Sequence, residues 1–528
     1  MKSNWMNARL ALLLATLMSG AVAVGAETDR NPISDAAIDR IAEQVMQHYA
    51  VPGMAVGIIR NGKIVHASGY GVLESGKRQK VNGRTLFKIA SNSKAITATA
   101  LAILVDEGLL AWDDKIIDHL PEFQLYDPWV TREFTVIDML THRSGLAPYV
   151  GDMMLWPEPN NFTRADIVHN LRYFKPVSSF RSEYAYDNQM YIVAGELVNA
   201  VAGQSWESFV DERIFGVLGF KRCFAGQVPA NEMTNLAAPH WETEGKIEVI
   251  ERSRILARPI TSAAAGGIRC SLDDLLTWIN VQLDEGAMAN GKPLISEEQH
   301  AAMWQPRTIL PISDNDRERD HTHFRAYGLG WRLADVQGYL EVSHTGTLSG
   351  WNSYVSMIPD LDLGAVVLTN GSSSDARRAM MYSVIRPWLG VTDVDWIARV
   401  DEERQRDKDK RPEQGPQQLC DSCETGKVLA PLATYAGTYR DRWFGDILVV
   451  EDSDGLAISS SKSPLLTGRL LPYLGNTFIA RWDDRNMDGD AWVTFSGDTP
   501  NEIDRMSMSA ISDTSDFDLE EMELERVP

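Results

Sequence analysis

The sequence predicts a protein of the α/β class, of the α+β type, in which an antiparallel sheet from both chain ends is flanked by helices and a separate all-β, barrel-like domain follows. Three observations predict this architecture. A hairpin pattern lies near the start of the chain, and three consecutive β-like runs lie between residues 339 and 370, beyond a helical middle. Past residue 427, short strand-like runs alternate with Gly/Asp turns. At 528 residues, two or more domains are expected.

The N-terminus has the pattern of a secretory signal peptide. Lys2 and Arg9 precede an apolar run from Leu10 to Met18, and small residues lead to Ala26. The apolar run is too short to span a bilayer as a stable anchor. We therefore expect cleavage before Glu27 and a mature chain that is secreted or periplasmic, soluble and without a membrane span.

Composition and charge indicate a soluble globular protein with an acidic surface. Hydrophobic residues make up 44% and charged residues 23% of the chain. The formal net charge is −22, and such a surface repels phosphate backbones. No nucleic-acid partner is therefore expected, and composition alone does not define an oligomeric state.

The four cysteines allow two disulfide bonds. In an oxidising compartment, Cys223 could pair with Cys270 and Cys420 with Cys423. The Cys-Asp-Ser-Cys pair lies in a polar linker without a strand–helix context, which disfavours a redox role. This pair and the His321-Thr322-His323 pair do not add up to a zinc site. No metal and no cofactor are expected.

The elements of the first half follow from hydrophobic spacing. Ser34 to Tyr49 has the apolar periodicity of an amphipathic helix. Two apolar runs, Gly53 to Arg60 and Lys63 to Tyr70, flank Asn61-Gly62, and Asn-Gly between such runs is a strong hairpin signal. A long apolar helix then opens in the stretch Phe87 to Ala98.

The middle of the chain is predicted to be helical, with one irregular segment before it. Helices are expected over Met190 to Val201, Trp206 to Phe215 and Ser271 to Leu283. The segment Ala147 to Arg181 is rich in Trp, Pro, Tyr and Met and has little periodicity. We interpret it as an irregular cover that forms part of a cleft wall.

The last part of the sheet precedes a domain boundary. Strands are expected over Tyr339 to His344, Asn352 to Ile358 and Leu363 to Leu368. A helix dense in charge is expected from Trp388 to Arg411. The Pro/Gln/Gly stretch Arg411 to Gln418 indicates the boundary before the β domain.

The stretch that opens the long apolar helix carries a serine and a lysine three residues apart, Ser91 and Lys94. Positions i and i+3 share a helix face, so the amine can lie beside the hydroxyl. Burial among alanines would lower the pKa of the lysine, and a serine with an adjacent base is the minimal activated nucleophile. The pattern alone is weak, because Ser459 and Lys462 match it too. A capping serine followed by a surface lysine is the alternative.

Two further motifs complete the pattern. Tyr186-Asp187-Asn188 is the one Tyr-x-Asn triplet among fifteen tyrosines, and the run that ends at His344 gives His344-Thr345-Gly346 followed by Thr347. Together with Ser-x-x-Lys, in this order, they resemble the serine β-lactamase and penicillin-binding-protein superfamily. The Tyr-x-Asn form is similar to its class C-like branch, which includes D-aminopeptidases, DD-carboxypeptidases and esterases. The resemblance covers Ile33 to Leu389, and the chain from about Tyr435 resembles an appended lipocalin-like β domain.

The resemblance implies a role for each motif. Ser91 would attack a carbonyl and become acylated, Lys94 would share its proton network, and Tyr186 would act as general base or acid. Whether Lys94 or Tyr186 takes the proton stays open, and a basic tyrosine would need its pKa depressed by positive neighbours. The backbone N–H groups of Ser91 and Thr347 would form an oxyanion hole. The implied substrate-binding and oxyanion residues are Asn188, His344, Thr345, Gly346 and Thr347.

Three positions depart from the pattern. His344 stands where many β-lactamases have lysine, so no fixed cation for a substrate carboxylate is expected there near neutral pH. Asp187 occupies a position where serine is commoner. Asn92 replaces the commoner apolar residue after the nucleophile.

These observations predict an exported serine hydrolase that acts through an acyl-enzyme on an ester or a peptide/amide, with D-amino-acid-containing substrates among the candidates. Its partner would be a small-molecule or peptide substrate. The alternative is a penicillin- or peptide-sensing module that acylates or binds without turnover, and a third hypothesis is an apolar-ligand-binding β domain with a vestigial hydrolase domain. The expected divisions are a signal peptide (1–26), a hydrolase domain (27–395), a charged linker (396–426) and a β-barrel-like domain (427–528).

Overall fold

The computed structural model describes residues 31–243, 245–251, 260–410, 426–485, 487, 489–498, 502–511 and 519–528. The expected signal peptide and the Cys420–Cys423 pair lie outside these residues. Cys223 and Cys270 are joined by a disulfide bond. Among the described residues, no helix is long and apolar enough to cross a membrane, and no group of three His, Cys, Asp or Glu side chains could hold a metal ion.

Before residue 400, the longest strands of the described chain belong to one central sheet, and the other strands are short. The strands of this part of the described chain are β1 (Gly53–Arg60), β2 (Lys63–Gly71), β3 (Phe87–Lys88), β4 (Cys223–Phe224), β5 (His240–Thr243), β6 (Lys246–Val249), β7 (Arg269–Cys270), β8 (Thr308–Ile309), β9 (Arg325–Tyr327), β10 (Arg332–Val336), β11 (Tyr339–Leu348), β12 (Trp351–Ile358) and β13 (Leu363–Thr369). Eight of them form one sheet in the order β2-β1-β13-β12-β11-β10-β9-β8.

Helices cover this sheet. In the described chain they are α1 (Asp35–His48), α2 (Ser93–Asp106), α3 (Ile116–His119), α4 (Pro128–Glu133), α5 (Val136–Leu140), α6 (Arg164–Asn170), α7 (Gln189–Ala202), α8 (Trp206–Val210), α9 (Gly216–Leu218), α10 (Leu272–Leu283), α11 (Glu297–Met303), α12 (Asp314–Asp320), α13 (Ser374–Ile385) and α14 (Trp396–Asp409). The expected fold class, a sheet flanked by helices, is confirmed.

The sheet is assembled from both chain ends, as predicted. Strand β1 pairs with β2 on one side and with β13 on the other, so the early hairpin and the late meander share one sheet. Asn61 and Gly62 both have positive φ, 49° and 68°, which is the backbone of the expected tight hairpin turn.

The central strand β1 is buried on both faces, which explains its unbroken apolar sequence. Met54, Val56 and Ile58 belong to the core that packs against α1 and α13. Ala55 and Ile59 belong to the other core, which includes α2 and α10. The functional site lies on the face of the sheet that packs against α2.

Three sequence expectations need correction. The segment 147–181, expected to be irregular, contains helix α6 and two short 3₁₀ turns. Strands β8 to β10, which precede Tyr339, extend the sheet beyond the three late strands expected. The charged helix expected from Trp388 begins instead at Trp396, because Gly390 ends the preceding turn with φ +83° and Asp395 caps the new helix. This helix, α14, lies within the segment expected to be a linker and packs on α13 through Trp396 and Val400.

The chain ends in a closed eight-stranded barrel, separate from the sheet. Its strands are β14 (Gly437–Asp441), β15 (Gly445–Asp452), β16 (Gly455–Ser460), β17 (Thr467–Leu474), β18 (Thr477–Trp482), β19 (Ala491–Ser496), β20 (Arg505–Ala510) and β21 (Leu524–Arg526). Strand β21 pairs with both β14 and β20 and closes the barrel. Buried aromatic side chains, including Tyr439, Phe478 and Phe495, contact one another in its core.

Candidate active site

The Ser91 turn is held between the sheet and the start of α2. Ser91 lies in a single 3₁₀ turn that runs from Ala90 to Asn92. The backbone N–H of Ile89 donates to Ile268, and Ala90 has a positive φ of 48°. A non-glycine residue in this region is uncommon, and such backbone strain concentrates at functional sites.

Lys94 is the second residue of α2 and is completely buried. Its Nζ lies 3.1 Å from Ser91 Oγ and donates to Asn188 Oδ1 at 2.7 Å and to the carbonyl oxygen of Ala265 at 2.9 Å. Burial lowers its pKa to about 7, Asp152 and Asp187 oppose that shift, and Arg332 reinforces it.

These three contacts fit a neutral amine. A neutral –NH₂ group has two N–H donors and one lone pair. The two donors are satisfied by Asn188 Oδ1 and the Ala265 carbonyl, which leaves the lone pair for the Ser91 hydroxyl. With a pKa of about 7, a substantial fraction of Lys94 is in this form at neutral pH.

Tyr186 completes the other side of the nucleophile. Its hydroxyl interacts with the Ser91 side chain, and its ring centroid lies 4.8 Å from Lys94 Nζ. Burial raises the pKa of Tyr186 well above its ordinary value and Tyr327 adds to this, while Arg332 and the interaction with Ser91 oppose it. The phenol therefore stays protonated at neutral pH, the opposite of what a tyrosine base requires.

Strand β11 brings the His-Thr-Gly segment to the Ser91 turn. Along it, Thr345 and Thr347 are accessible, whereas His344 and Gly346 are buried, which is the alternation of a strand with one open face. Gly346 lies against the Ser91 turn, because a Cβ there would come within 2.3 Å of the Ile89 carbonyl oxygen. The glycine is needed for this close approach.

The backbone N–H of Thr347 faces away from β12. In the hairpin of β11 and β12, Leu348 lies opposite Trp351 next to the turn and forms a hydrogen-bonded pair with it. From there, non-hydrogen-bonded and hydrogen-bonded pairs alternate along the two strands. Thr347, opposite Asn352, falls on a non-hydrogen-bonded pair. On the other edge, β10 pairs with β11 only as far as Ser343, so this N–H is not used in either ladder.

His344 is directed away from the accessible face. Its Nδ1 lies 2.7 Å from the Thr345 carbonyl oxygen and its Nε2 lies 2.9 Å from the Tyr327 hydroxyl. Both contacts fit a neutral ring that donates from Nδ1 and accepts at Nε2. Burial and the charges of Arg332 and Lys94 hold its pKa well below the ordinary value.

Arg332 supplies a cation that the sequence analysis did not assign. It stands at the start of β10, donates to Thr345 Oγ1 at 3.0 Å, and lies over the ring of Tyr186 with a separation of 5.7 Å. Because the β10 strand itself was not predicted, its register opposite Ser343 was not available as a signal. The site thus has a fixed positive charge that is not on His344.

Two more residues missed as site residues support Tyr186 and Asn188. His142 Nδ1 accepts a hydrogen bond from the backbone N–H of Asp187 at 3.0 Å, and the imidazole lies 4.4 Å from the Tyr186 ring. Asp152 Oδ2 accepts from Asn188 Nδ2 at 2.7 Å. Asp152 belongs to the cover segment, where the absence of periodicity gave no signal for it.

Two family models and a named relative match the chain. The family model described as Beta-lactamase matches residues 38–386, and the model described as Domain of unknown function (DUF3471) matches residues 426–526. The chain is 26% identical over 463 residues to "Unguisins hydrolase ungD" of Aspergillus violaceofuscus, which covers 81% of this chain and 79% of that protein.

Two solved structures have a similar fold. The octameric penicillin-binding protein homologue from Pyrococcus abyssi aligns with a TM-score of 0.59 and 20% identity, over 94% of this chain and 100% of that chain. The class C beta lactamase from Rhodobacter sphaeroides aligns with a TM-score of 0.54 and 21% identity, over 68% of this chain and 99% of that chain. At these identities the similarity is one of fold.

Proposed function

This chain belongs to the Beta-lactamase family of serine hydrolases, and on that premise we propose that it hydrolyses an ester or a peptide/amide through an acyl-enzyme on Ser91. One observation carries the proposal. The Ser91 hydroxyl lies 3.1 Å from a buried amine whose pKa is about 7, and it interacts with a phenol that is protonated at neutral pH. The named relative from Aspergillus violaceofuscus is a hydrolase.

In the acylation step, Ser91 Oγ forms a bond to the substrate carbonyl carbon while its proton passes to Lys94 Nζ. The new ammonium keeps its hydrogen bonds to Asn188 and Ala265. The carbonyl oxygen becomes an oxyanion between the N–H groups of Ser91 and Thr347. When the carbon–leaving-group bond breaks, the leaving atom takes the Tyr186 hydroxyl proton.

Hydrolysis of the acyl-enzyme reverses these transfers. Water attacks the acyl carbon and gives a proton to the Tyr186 phenolate, whose charge is stabilised by the Lys94 ammonium and by Arg332. Ser91 Oγ leaves and recovers its proton from Lys94. Each group returns to its starting state, so the cycle consumes only substrate and water.

Arg332 supports a substrate that carries a carboxylate near the scissile bond. Its guanidinium lies beside Thr345, on the accessible face of β11, and over the Tyr186 ring. A carboxylate placed there would be held by a charge-assisted hydrogen bond. D-amino-acid-containing peptides and esters remain candidates that meet this requirement.

Intact-mass spectrometry with a fluorophosphonate probe, together with turnover of a p-nitrophenyl ester, tests the proposal. We expect one adduct, on Ser91, and steady turnover that Ser91→Ala abolishes. A stoichiometric burst followed by no turnover would support the sensing module instead. An adduct elsewhere, with Ser91 unmodified, would refute the assignment.

We also propose that residues 1–26 are removed on export and that the hydrolase (27–395) and barrel-like (427–528) domains are joined by residues 396–426. The N-terminal pattern of charge, apolar run and small residues supports the export proposal. The N-terminal mass of the mature protein would test it, with Glu27 the expected first residue.

A further inference from the structure

The barrel packs directly on the cover segment of the active-site domain. Asn161 donates to the carbonyl oxygens of Lys462 and Ser461, and Asn170 Nδ2 donates to that of Trp443. Lys462 pairs with Asp166 at 3.1 Å. These bonds join several points of the cover to loops of the barrel.

The barrel contributes a rigid hairpin tip to this interface. Trp443 and Phe444, between β14 and β15, are buried and contact Phe174 and Phe162 of the cover, with ring separations of 5.1 and 5.7 Å. The Asp441 carboxylate accepts from the backbone N–H groups of both aromatic residues and, through its other oxygen, from that of Glu523. The tip is therefore held in one conformation from within the barrel.

One barrel side chain reaches the part of the cover that touches the site. Glu521 Oε2 accepts from the backbone N–H of Gly151 at 2.9 Å. The carbonyl oxygen of Gly151 accepts from Gln189 Nε2, at the start of α7, also at 2.9 Å. The backbone of Gly151 is thus held at its N–H by the barrel and at its carbonyl by the helix that begins beside Asn188.

Asp152 sets the orientation of the Asn188 amide. Asn188 must present Oδ1 to Lys94, and it does so because its Nδ2 donates to Asp152 Oδ2. A flipped amide would place its NH₂ group against the Lys94 amine, which offers donors. The orientation of the general base therefore depends on where Asp152 lies.

We propose that the barrel is a positioning element of the active site, in which Glu521 holds the backbone at Gly151, and with it the adjoining Asp152, so that Asn188 and Lys94 are aligned with Ser91. The inference rests on the proposed hydrolase function. It assigns a role to a domain whose core is filled by its own side chains. Glu521 is a positioning residue, since it acts through Asp152 and Asn188.

The chain offers a matched control two residues away. Glu523 also crosses from the barrel to the cover, but it pairs with the exposed Lys175 at 3.2 Å, and both side chains are largely in solvent. Loss of that pair leaves Gly151 and Asp152 untouched. A surface pair of this kind contributes little to stability.

The test compares the full-length chain and its variants in p-nitrophenyl ester hydrolysis. We expect Glu521→Ala to lower kcat by about tenfold to a hundredfold, the effect of a small misplacement of a catalytic group, with KM within about twofold. Glu521→Gln should restore most of that loss, because its amide oxygen can still accept from Gly151. Glu523→Ala should have the kcat of the wild type.

The outcomes separate the two proposals. If the wild type turns over the ester and Glu521→Ala has the same kcat, the positioning role alone is overturned. It is also overturned if kcat falls equally in Glu521→Ala and Glu523→Ala. Absence of Ser91 labelling in the wild type would overturn the proposed function itself. If circular dichroism shows that Glu521→Ala does not fold, Asp152→Ala tests the same connection from its other end, because alanine cannot accept from Asn188 Nδ2. An unchanged kcat in Asp152→Ala would overturn the positioning role.

Discussion

The acid limb of the activity profile should report the protonation of Lys94. The amine accepts the Ser91 proton only when it is neutral, and its pKa is about 7 because it is buried. Below that pH the ammonium has no lone pair, so kcat/KM should fall tenfold per pH unit. At pH 5 it should be about one hundredth of its plateau, which corresponds to about 2.7 kcal/mol.

The assay is kcat/KM for a p-nitrophenyl ester between pH 4.5 and 9, because this substrate does not itself titrate in that range. The profile should rise with pH, have its midpoint near 7 and then stay level to pH 9, because the pKa of Tyr186 lies well above 10. A flat profile from pH 5 to 8 would refute Lys94 as the base. A fall on the alkaline side below pH 9 would show that the phenol titrates earlier than its burial implies.

One neighbouring carboxyl needs a control, because burial raises the pKa of Asp187 to about 7 as well. If Lys94 is the titrating group, Asp187→Asn should keep the acid limb and move it to lower pH, since the Asp187 charge raises the pKa of Lys94. Arg332→Met should move the limb the opposite way, since the arginine lowers that pKa. Loss of the limb in Asp187→Asn would reassign it to the carboxyl.

Three further predictions concern the substrate, the strand and the disulfide. Arg332→Met should raise KM about 10- to 100-fold for an ester that carries a carboxylate, because a hydrogen bond to a charged group contributes about 1.5–3 kcal/mol. KM for the neutral ester should stay within about twofold. Equal effects on both substrates would contradict the carboxylate role. Gly346→Ala places a Cβ 2.3 Å from the Ile89 carbonyl oxygen. It should lower the free energy of unfolding, measured by urea titration, by about 1–3 kcal/mol and abolish most activity. A fully active variant would show that β11 need not approach the Ser91 turn. Replacing both Cys223 and Cys270 by alanine opens a bridge with a sequence separation of 47 and should cost about 2–4 kcal/mol of unfolding free energy; an unchanged urea midpoint would mean that the bridge does not constrain the unfolded chain.

The parts of the fold that could be predicted are those with strong local signals. Asn61-Gly62 is a local hairpin signal, and the continuous, largely apolar run of β13 follows from burial of both its faces. Strands β8 and β9 are only two and three residues long, so no periodicity can develop in them. The start of α14 at Trp396 depends on a cap by Asp395 and a turn at Gly390, which an apolar pattern does not encode.

The site shows the same division between local and distant information. Ser91 and Lys94 are three residues apart, and Tyr186 and Asn188 belong to one triplet. Short sequence spacings are therefore enough to identify both pairs. Asp152 contacts Asn188, Arg332 contacts Tyr186 and Ala265 contacts Lys94, each from a segment between 36 and 171 residues away and without a motif of its own. Such contacts are set by how the cover and β10 pack, which sequence spacing does not reveal.

Burial links the chemistry of the site to its construction. Lys94 is a base near neutral pH only because the protein removes it from water, and that desolvation disfavours the charged folded state. Asn188 and the Ala265 carbonyl satisfy its N–H donors, but each must be held where it is to do so. For Asn188 the holding contact is Asp152, which begins a single 3₁₀ turn of the cover segment. The barrel packs on that segment and binds its backbone at Gly151, which adds a constraint that one short turn does not supply.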